Sequence, residues 1–421
     1  MKKTAPLRAV AGACVALFAN MGMNSVFTIF LSRFKETWPD TDEATIALAA
    51  TLGCTAAFVC STFLVAPILK KLSPRVIFLI CAALAVIYCV LYATAGSVLT
   101  IIIAGIFGGT VLSFGVHAMG VAAVTPYFAD YGKRTEAVIG IVLSSAALGA
   151  AVFSFVPGLL MSIGIGWRTI YLIIGAVVAL CDLAAFLLIP KAESPSSKKK
   201  NMSASSFGAE KALNGLTVRE ALKTPAFWLV FCGILFMTIM YQGLCTYMPY
   251  YLEACGMTGG AASSMQGIMQ LTGIVFILMG GMLAGKIGIK GLILFAGAPL
   301  AIGCMLYAYV FPHNPTIAFA VVCSVLCVTG GVISNLCPAV TPVLFGEKSL
   351  NKINPIFSGG AFWGGAALAS QVIGRVLTNT GSFSKAFLTA SVIGILGMLL
   401  LFAALAVNPS KKAYSAKNTV D

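Results

Sequence analysis

The sequence predicts an all-α membrane protein: twelve transmembrane helices in two pseudo-symmetric six-helix bundles. Three observations predict it. Mean hydropathy is +0.97, with 59% hydrophobic and 10% charged residues, whereas in soluble domains about a quarter of residues are charged. The apolar residues fall in runs of about 20 or more, the length a helix needs to cross a bilayer. One polar stretch, Lys191 to Thr224, divides the chain into halves of similar length. Ten of the 40 charged residues sit in it, too many for lipid, so it reads as a solvated connector. The predicted units are residues 1–190, the linker 191–224, and residues 225–421, which include a short tail.

The first-half spans are predicted at 8–32, 45–69, 76–95, 98–127, 136–163 and 168–190. Those of the second half are 225–252, 261–284, 289–311, 315–345, 353–377 and 383–407. Runs this long without period-two alternation suit helices rather than barrel strands. The basic start at Lys2, Lys3 and Arg8 leads into the first span, with no clear cleavage site of a signal peptide. In the first external loop, 34–44, Thr41 is the expected cap of the second span. In the linker, Thr217-Val-Arg-Glu220 forms a capping box for a short helix. Thr224-Pro225 caps and opens the seventh span.

Orientation follows from the basic residues. With the N-terminus inside, 22 of 27 Lys and Arg fall in cytoplasmic segments; Arg33, Lys35, Arg168, Arg375 and Lys385 do not. The net charge of +14 then reflects the positive-inside rule, and a nucleic-acid partner is not required. Both termini are expected in the cytoplasm of a plasma membrane of the bacterial inner-membrane type. The 13 cysteines are scattered singly without C-x-x-C or a His cluster, so neither metal nor disulfide is expected.

The halves align at an offset of 215 to 218 residues. Asn24-Ser-Val-Phe-Thr28 matches Gln242-Gly-Leu-Cys-Thr246, and Ala123-Val-Thr-Pro126 matches Ala339-Val-Thr-Pro342. Residues 66–75, after the second span, match 281–290. Three matches in corresponding spans indicate a six-plus-six duplication.

On these grounds the whole chain resembles the major facilitator superfamily. The loop after the second span in that superfamily reads roughly G-x-x-x-D-R-x-G-R-R. Lys70 and Gly285 stand at its acidic position here, while Lys71, Arg75, Lys286, Gly288 and Lys290 remain. An inner gate locked by that acid is therefore not expected. Within the superfamily the chain is similar to the oxalate/formate antiporter and monocarboxylate porter group. That likeness rests on Gly166-Trp-Arg168, on the run Arg219 to Trp228, and on Lys133-Arg134 through Gly140 and Gly149. It implies transport of small organic anions by two bundles rocking about a central site, lined by the first, fourth, seventh and tenth spans.

Polar side chains inside a span are costly and tend to be functional, though some only join helices. Asn24 and Thr28 share a face of the first span, and Gln242 and Thr246 repeat them in the seventh beside Tyr241. His117, the one histidine within a span, is a candidate for anion binding or proton relay. Gln266 and Gln270 lie one turn apart in the eighth span. Trp363 is placed midway along the eleventh among Gly359, Gly360, Gly364 and Gly365, which read as packing residues. Asp182 is the one deep carboxylate and a proton-coupling candidate, with snorkelling or a protonated peripheral side chain as the alternative. The resembled porters carry a basic residue deep in the eighth or eleventh span, and this chain has none at 261–284 or in the middle of the eleventh.

The leading expectation is secondary transport of a small organic acid, monocarboxylate-like, by proton symport or anion exchange. Proton-driven efflux of amphipathic compounds is the alternative, and a sensor on the same scaffold ranks below both. No nucleotide loop, nucleophile elbow, zinc spacing or carboxylate pair supports an enzyme. The expected partners are the organic anion, protons or a counter-anion, and lipid. No cofactor is expected, and a monomer encloses one path.

Overall fold

The computed structural model describes residues 5–118, 123–124, 133–190, 216–346, 353–354 and 356–407. The first half contains α1 (Ala5–Ile29), the short α2 (Leu31–Thr37), α3 (Glu43–Val59) and α4 (Val65–Lys71). It continues with α5 (Pro74–Ala93), α6 (Val98–Leu112), α7 (Lys133–Ser162) and α8 (Trp167–Leu188). A five-residue α9 (Val218–Leu222) opens the second half, followed by α10 (Pro225–Ala254) and the bent α11 (Gly259–Tyr309). Then come α12 (Ile317–Val328), α13 (Ile333–Phe345), α14 (Trp363–Thr380) and α15 (Phe383–Val407). Eleven segments of the described residues are long and apolar enough to cross a membrane. The remaining predicted span, 45–69, is α3 carried on by a wide π-turn, Cys60–Leu64, into α4.

Several boundaries move for local reasons. The predicted first span, 8–32, ends at Ile29, because Phe30 leaves the helical region and starts α2, which occupies part of the expected loop. The cap of α3 is Asp42 rather than Thr41. Its carboxylate accepts from the Thr45 N–H at 2.6 Å, and Glu43 follows in the first turn. The capping box is present: Glu220 N–H donates to Thr217 Oγ1, and Thr217 N–H to Glu220 Oε2. Thr224 caps α10 with Pro225 at its first position. The predicted eighth and ninth spans meet inside α11 at Gly288, whose φ of +67° and ψ of 176° suit glycine alone. Wide turns also break the fourth and eleventh spans, at Ser113–Ala118 and Ile356–Phe362. A tight turn, Thr329–Val332, divides the tenth. Trp363 therefore starts α14 instead of lying midway along a regular helix. The linker from 191 to 215 and Pro126 lie outside the described residues. At the linker's end, Leu216 N–H donates to Phe345 O at the close of α13.

Lipid supplies little hydrophobic drive between helices, so close packing must hold them. In the first half α1 packs on α7 and α8, α3 on α6, and α5 on α8 and α6. In the second, α10 packs on α14 and α15, and α11 on α12 and α15. Glycine brings α3 and α6 into backbone contact: a Cβ at Gly109 would lie 1.8 Å from Gly53 O. The halves meet along two pairs, α3 with α14 and α7 with α11, with α1 against α10 between them.

One end of the molecule carries α2 and the turns at 163–166 and 255–258; we call it the far face. The other, the hinge face, carries the end of α8 at Ile189, the segment Leu216–Thr224, Leu72-Ser73 and Gly288. Towards the far face each half has an aromatic core. Phe30, Phe34, Tyr92, Trp167 and Tyr171 fill the first. Tyr251, Tyr307, Phe383 and Phe387 fill the second, close to Tyr247.

Candidate functional site

The site is built where the two halves meet. Near the far face they are joined by polar side chains reaching from one half to the other. Gln371 Nε2 of α14 donates to Ala44 O at 3.0 Å and to Thr51 Oγ1 at 3.2 Å, both on α3. Thr378 Oγ1 donates to Glu43 at 3.3 Å. Arg33 of α2 lies 3.9 Å from Glu253 of α10 and is held mainly by Glu36 of its own helix. Glu36, with Glu253 adding, binds the Arg33 proton more firmly than usual. Thr45 holds the Asp42 carboxyl below the ordinary carboxylate range. Glycines let the backbones approach here: a Cβ on Gly374 would lie 3.0 Å from Ala44 Cα, and one on Gly158 would overlap Ser263 Oγ. These contacts tie the two halves together at the far face.

Deeper in, the candidate residues of α1 and α10 occupy matching positions on two helices that touch. Asn24 is half-buried, with Nδ2 donating to Asn20 O at 3.0 Å and Oδ1 near Gly108 of α6. Thr28 is half-buried and donates to Ser25 O. Across from them Tyr241 lies against Gly330 and Gly331, between α12 and α13. Gln242 is half-buried, while Thr246 is buried and spends its hydroxyl on Gln242 O at 2.8 Å. Thr246 is thus a helix-bound hydroxyl in this conformation. On α11, Gln270 is half-buried, whereas Gln266 is only 2% exposed with Oε1 unpartnered. Trp363 is half-buried and packs edge-on against Phe362. Of the glycines around it, Gly365 meets the Leu235 carbonyl and Gly360 the Phe231 ring. That agrees with their reading as packing residues. His117 stands in the wide turn after α6, and its side chain lies outside the described residues.

Asp182 departs from the peripheral, snorkelling reading. It is fully buried, facing α1, where Asn20 Nδ2 donates to Asp182 Oδ1 at 2.8 Å. Asn20 was not among the sequence candidates. Its one available signal was its place one turn before Asn24. The altered loop after α4 has its own solution: the Arg75 guanidinium lies over the Phe186 ring, 4.1 Å from its centroid. This cation–π contact joins the hinge-face ends of α5 and α8 without a carboxylate. Among the described residues no group of His, Cys, Asp and Glu could hold a metal ion.

The family profile of the Major Facilitator Superfamily matches residues 11–369. No protein of curated function matches the chain by sequence. Among solved structures, the nucleoside transporter NupG superposes with a TM-score of 0.77 at 14% identity, covering 94% of this chain and 98% of its own. A bacterial homologue of the human lysosomal transporter Spinster, inward-facing and unoccupied, gives 0.66 at 15% identity over 96% of each chain. At such identities these likenesses establish the fold.

Proposed function

The chain belongs to the Major Facilitator Superfamily and is a secondary transporter, and from that premise we propose that it carries a small monocarboxylic acid with an apolar portion across the plasma membrane, together with a proton. The observation that carries this reading is the placement of charge. Among the described residues, every Lys and Arg sits at or near an end of its helix or, for Lys286 and Lys290, at the bend of α11 beside Gly288. A dianion taken from water into a site without a fixed cation would be strongly disfavoured. A carboxylate accompanied by a proton crosses with no net charge and needs only hydrogen-bond donors. Asn24, Gln242, Gln270 and the Tyr241 hydroxyl, with His117, are the proposed donors, and Trp363 the apolar wall. Thr28 and Thr246 are proposed to join them once the helices shift and free their hydroxyls, and Gln266 once the shift exposes it. The contacts that tie the halves at the far face support a state that opens towards the hinge face, which the positive-inside count puts in the cytoplasm.

The test is uptake of labelled short carboxylates into proteoliposomes, with an imposed pH gradient or with internal carboxylate. Accumulation that follows the pH gradient is the expected result. Acceleration by internal carboxylate alone would replace symport with exchange. Transport of an amphipathic dye but of no carboxylate would replace the organic acid with an efflux substrate.

A further inference from the structure

Asn20 and Asp182 form a polar pair between α1 and α8. Both side chains are fully buried. Asn20 has two amide hydrogens and uses both: Nδ2 donates to Ala16 O at 2.9 Å and to Asp182 Oδ1 at 2.8 Å. Turning the amide over would set its oxygen against two acceptors, so the orientation is fixed by its neighbours. What remains is a mismatch: Asn20 Oδ1 and Asp182 Oδ2 are both buried and both lack a partner. A hydrogen on Oδ2 removes it. A neutral carboxylic acid and a primary amide are complementary, each donating once and accepting once in a closed ring.

The duplication supplies an internal control. At offsets of 216 or 217, Asn20, Cys81 and Asp182 correspond to Met237, Gly297 and Met398. Those three also meet: a Cβ on Gly297 would lie 2.5 Å from Met398 Sδ and 2.9 Å from Met237 Cε. The same place in the second half is closed by apolar packing. The polar pair in the first half is therefore a departure with a cost, and buried polar groups in a membrane are costly enough to call for a role.

We infer that Asp182 and Asn20 form a proton-binding site, an acid–amide pair whose ligand is the proton, and that loss of the proton separates α8 from α1. Without the proton, Oδ2 is a charged acceptor with no donor, and a buried ion so placed is strongly destabilised. Relief requires the carboxylate to reach water or Asn20 to swing away. Either movement loosens α8 from α1 one turn from Asn24. The surroundings leave the carboxyl little competition. Cys81 of α5 faces it and Cys181 precedes it on α8. Gly115, in the wide turn that carries His117, lies against the Asn20 amide. Arg8 on α1, towards the hinge face, donates to Leu187 O. This inference rests on the proton-coupled reading for its role in transport, while the proton site itself does not.

The experiment compares infrared spectra of the purified protein with those of Asp182→Asn and Asn20→Ala, alongside proteoliposome uptake. At neutral pH the wild type should show a carboxylic-acid C=O band that Asp182→Asn removes and Asn20→Ala shifts. Asp182→Asn keeps the shape of the pair, so its thermal unfolding should match the wild type. Its pH-gradient-driven accumulation should fall by about tenfold or more. If no band disappears in Asp182→Asn, Asp182 holds no proton and the inference is overturned. If the band is present and gradient-driven accumulation in Asp182→Asn stays within about twofold of wild type, the coupling role is overturned. If no carboxylate is transported by any variant, the proposed substrate is wrong, and the band still decides the proton site.

Discussion

The two halves solve the same packing problem with different chemistry. Their aromatic cores coincide under the duplication: Phe30, Phe34, Tyr92, Trp167 and Tyr171 map onto Tyr247, Tyr251, Tyr307, Phe383 and Phe387 at offsets of 215 to 217. In the first half the rings do most of the joining, as where Tyr92 stacks on Tyr171 with centroids 4.4 Å apart. In the second, hydroxyls are tied to carbonyls of neighbouring helices. Tyr251 donates to Tyr307 O, and Tyr247 to Ser370 O at 3.0 Å. The Tyr307 hydroxyl lies within hydrogen-bonding distance of both Ala320 O and Ser324 Oγ. Nearer the hinge face the contrast reverses, with the acid–amide pair in the first half and the methionines in the second. One bundle is pinned near the far face; the other is pinned there by ring contacts and carries a titratable joint deeper down. The difference teaches that a duplicated scaffold can keep its shape while its halves diverge in which parts are free to respond.

The largest test of that contrast moves the carboxyl to the apolar half. Met398→Asp buries an acid where no amide stands, and should cost about 3–5 kcal/mol in thermal unfolding in detergent if ionised. The reciprocal double variant, Asn20→Met with Asp182→Met, should keep stability within about 1 kcal/mol, since a buried polar pair replaced by apolar groups is often neutral. Equal loss in both experiments would break the comparison.

Next come the two glycines where the halves touch. Gly158 and Gly374 are themselves related by 216 positions. Gly158→Val and Gly374→Val should each favour an open far face by about 1–3 kcal/mol, the usual cost of overpacking. Labelling of Thr45→Cys by a membrane-impermeant thiol reagent, with the native cysteines replaced, would report this as faster modification.

A smaller effect separates the aromatic cores. Tyr307→Phe removes a buried hydroxyl together with its partners' bonds and should cost about 1–1.5 kcal/mol. Tyr92→Phe keeps the stacked ring and should cost less in the same unfolding assay. The smallest lies at the far face, where Asp42→Ala should cost about 1 kcal/mol through the lost cap of α3. Because folding lowers the Asp42 pKa, its contribution is complete at neutral pH. It is lost as pH falls through the depressed folded value. The variant and the wild type should therefore converge in stability in acid.

Hydropathy made the spans legible, since crossing lipid demands long apolar runs whatever the tertiary contacts. The caps at Thr217 and Thr224 were legible too, because their chemistry is local. The breaks at Phe30, Ser113–Ala118 and Ile356–Phe362 were not, since none of these segments contains a proline or a Lys, Arg, Asp or Glu to mark it. Asp182 stood out as a lone carboxylate, but its partner could not be read from spacing: residues 20 and 182 meet only because α1 packs on α8. Asn24 and Gln242 were found through the repeat. The amide at Asn20 escaped because its counterpart, Met237, breaks the repeat at that position.

The contacts at Gly158 and Gly374 also have a mechanical meaning. Two fixed points define a line, and a rigid half that keeps both contacts has one freedom left, rotation about that line. A motion that widens or narrows the hinge face can preserve both contacts as fulcrums. Motion that parts the halves at the glycines themselves has no such axis, and must give up both fulcrums and find new ones nearer the linker.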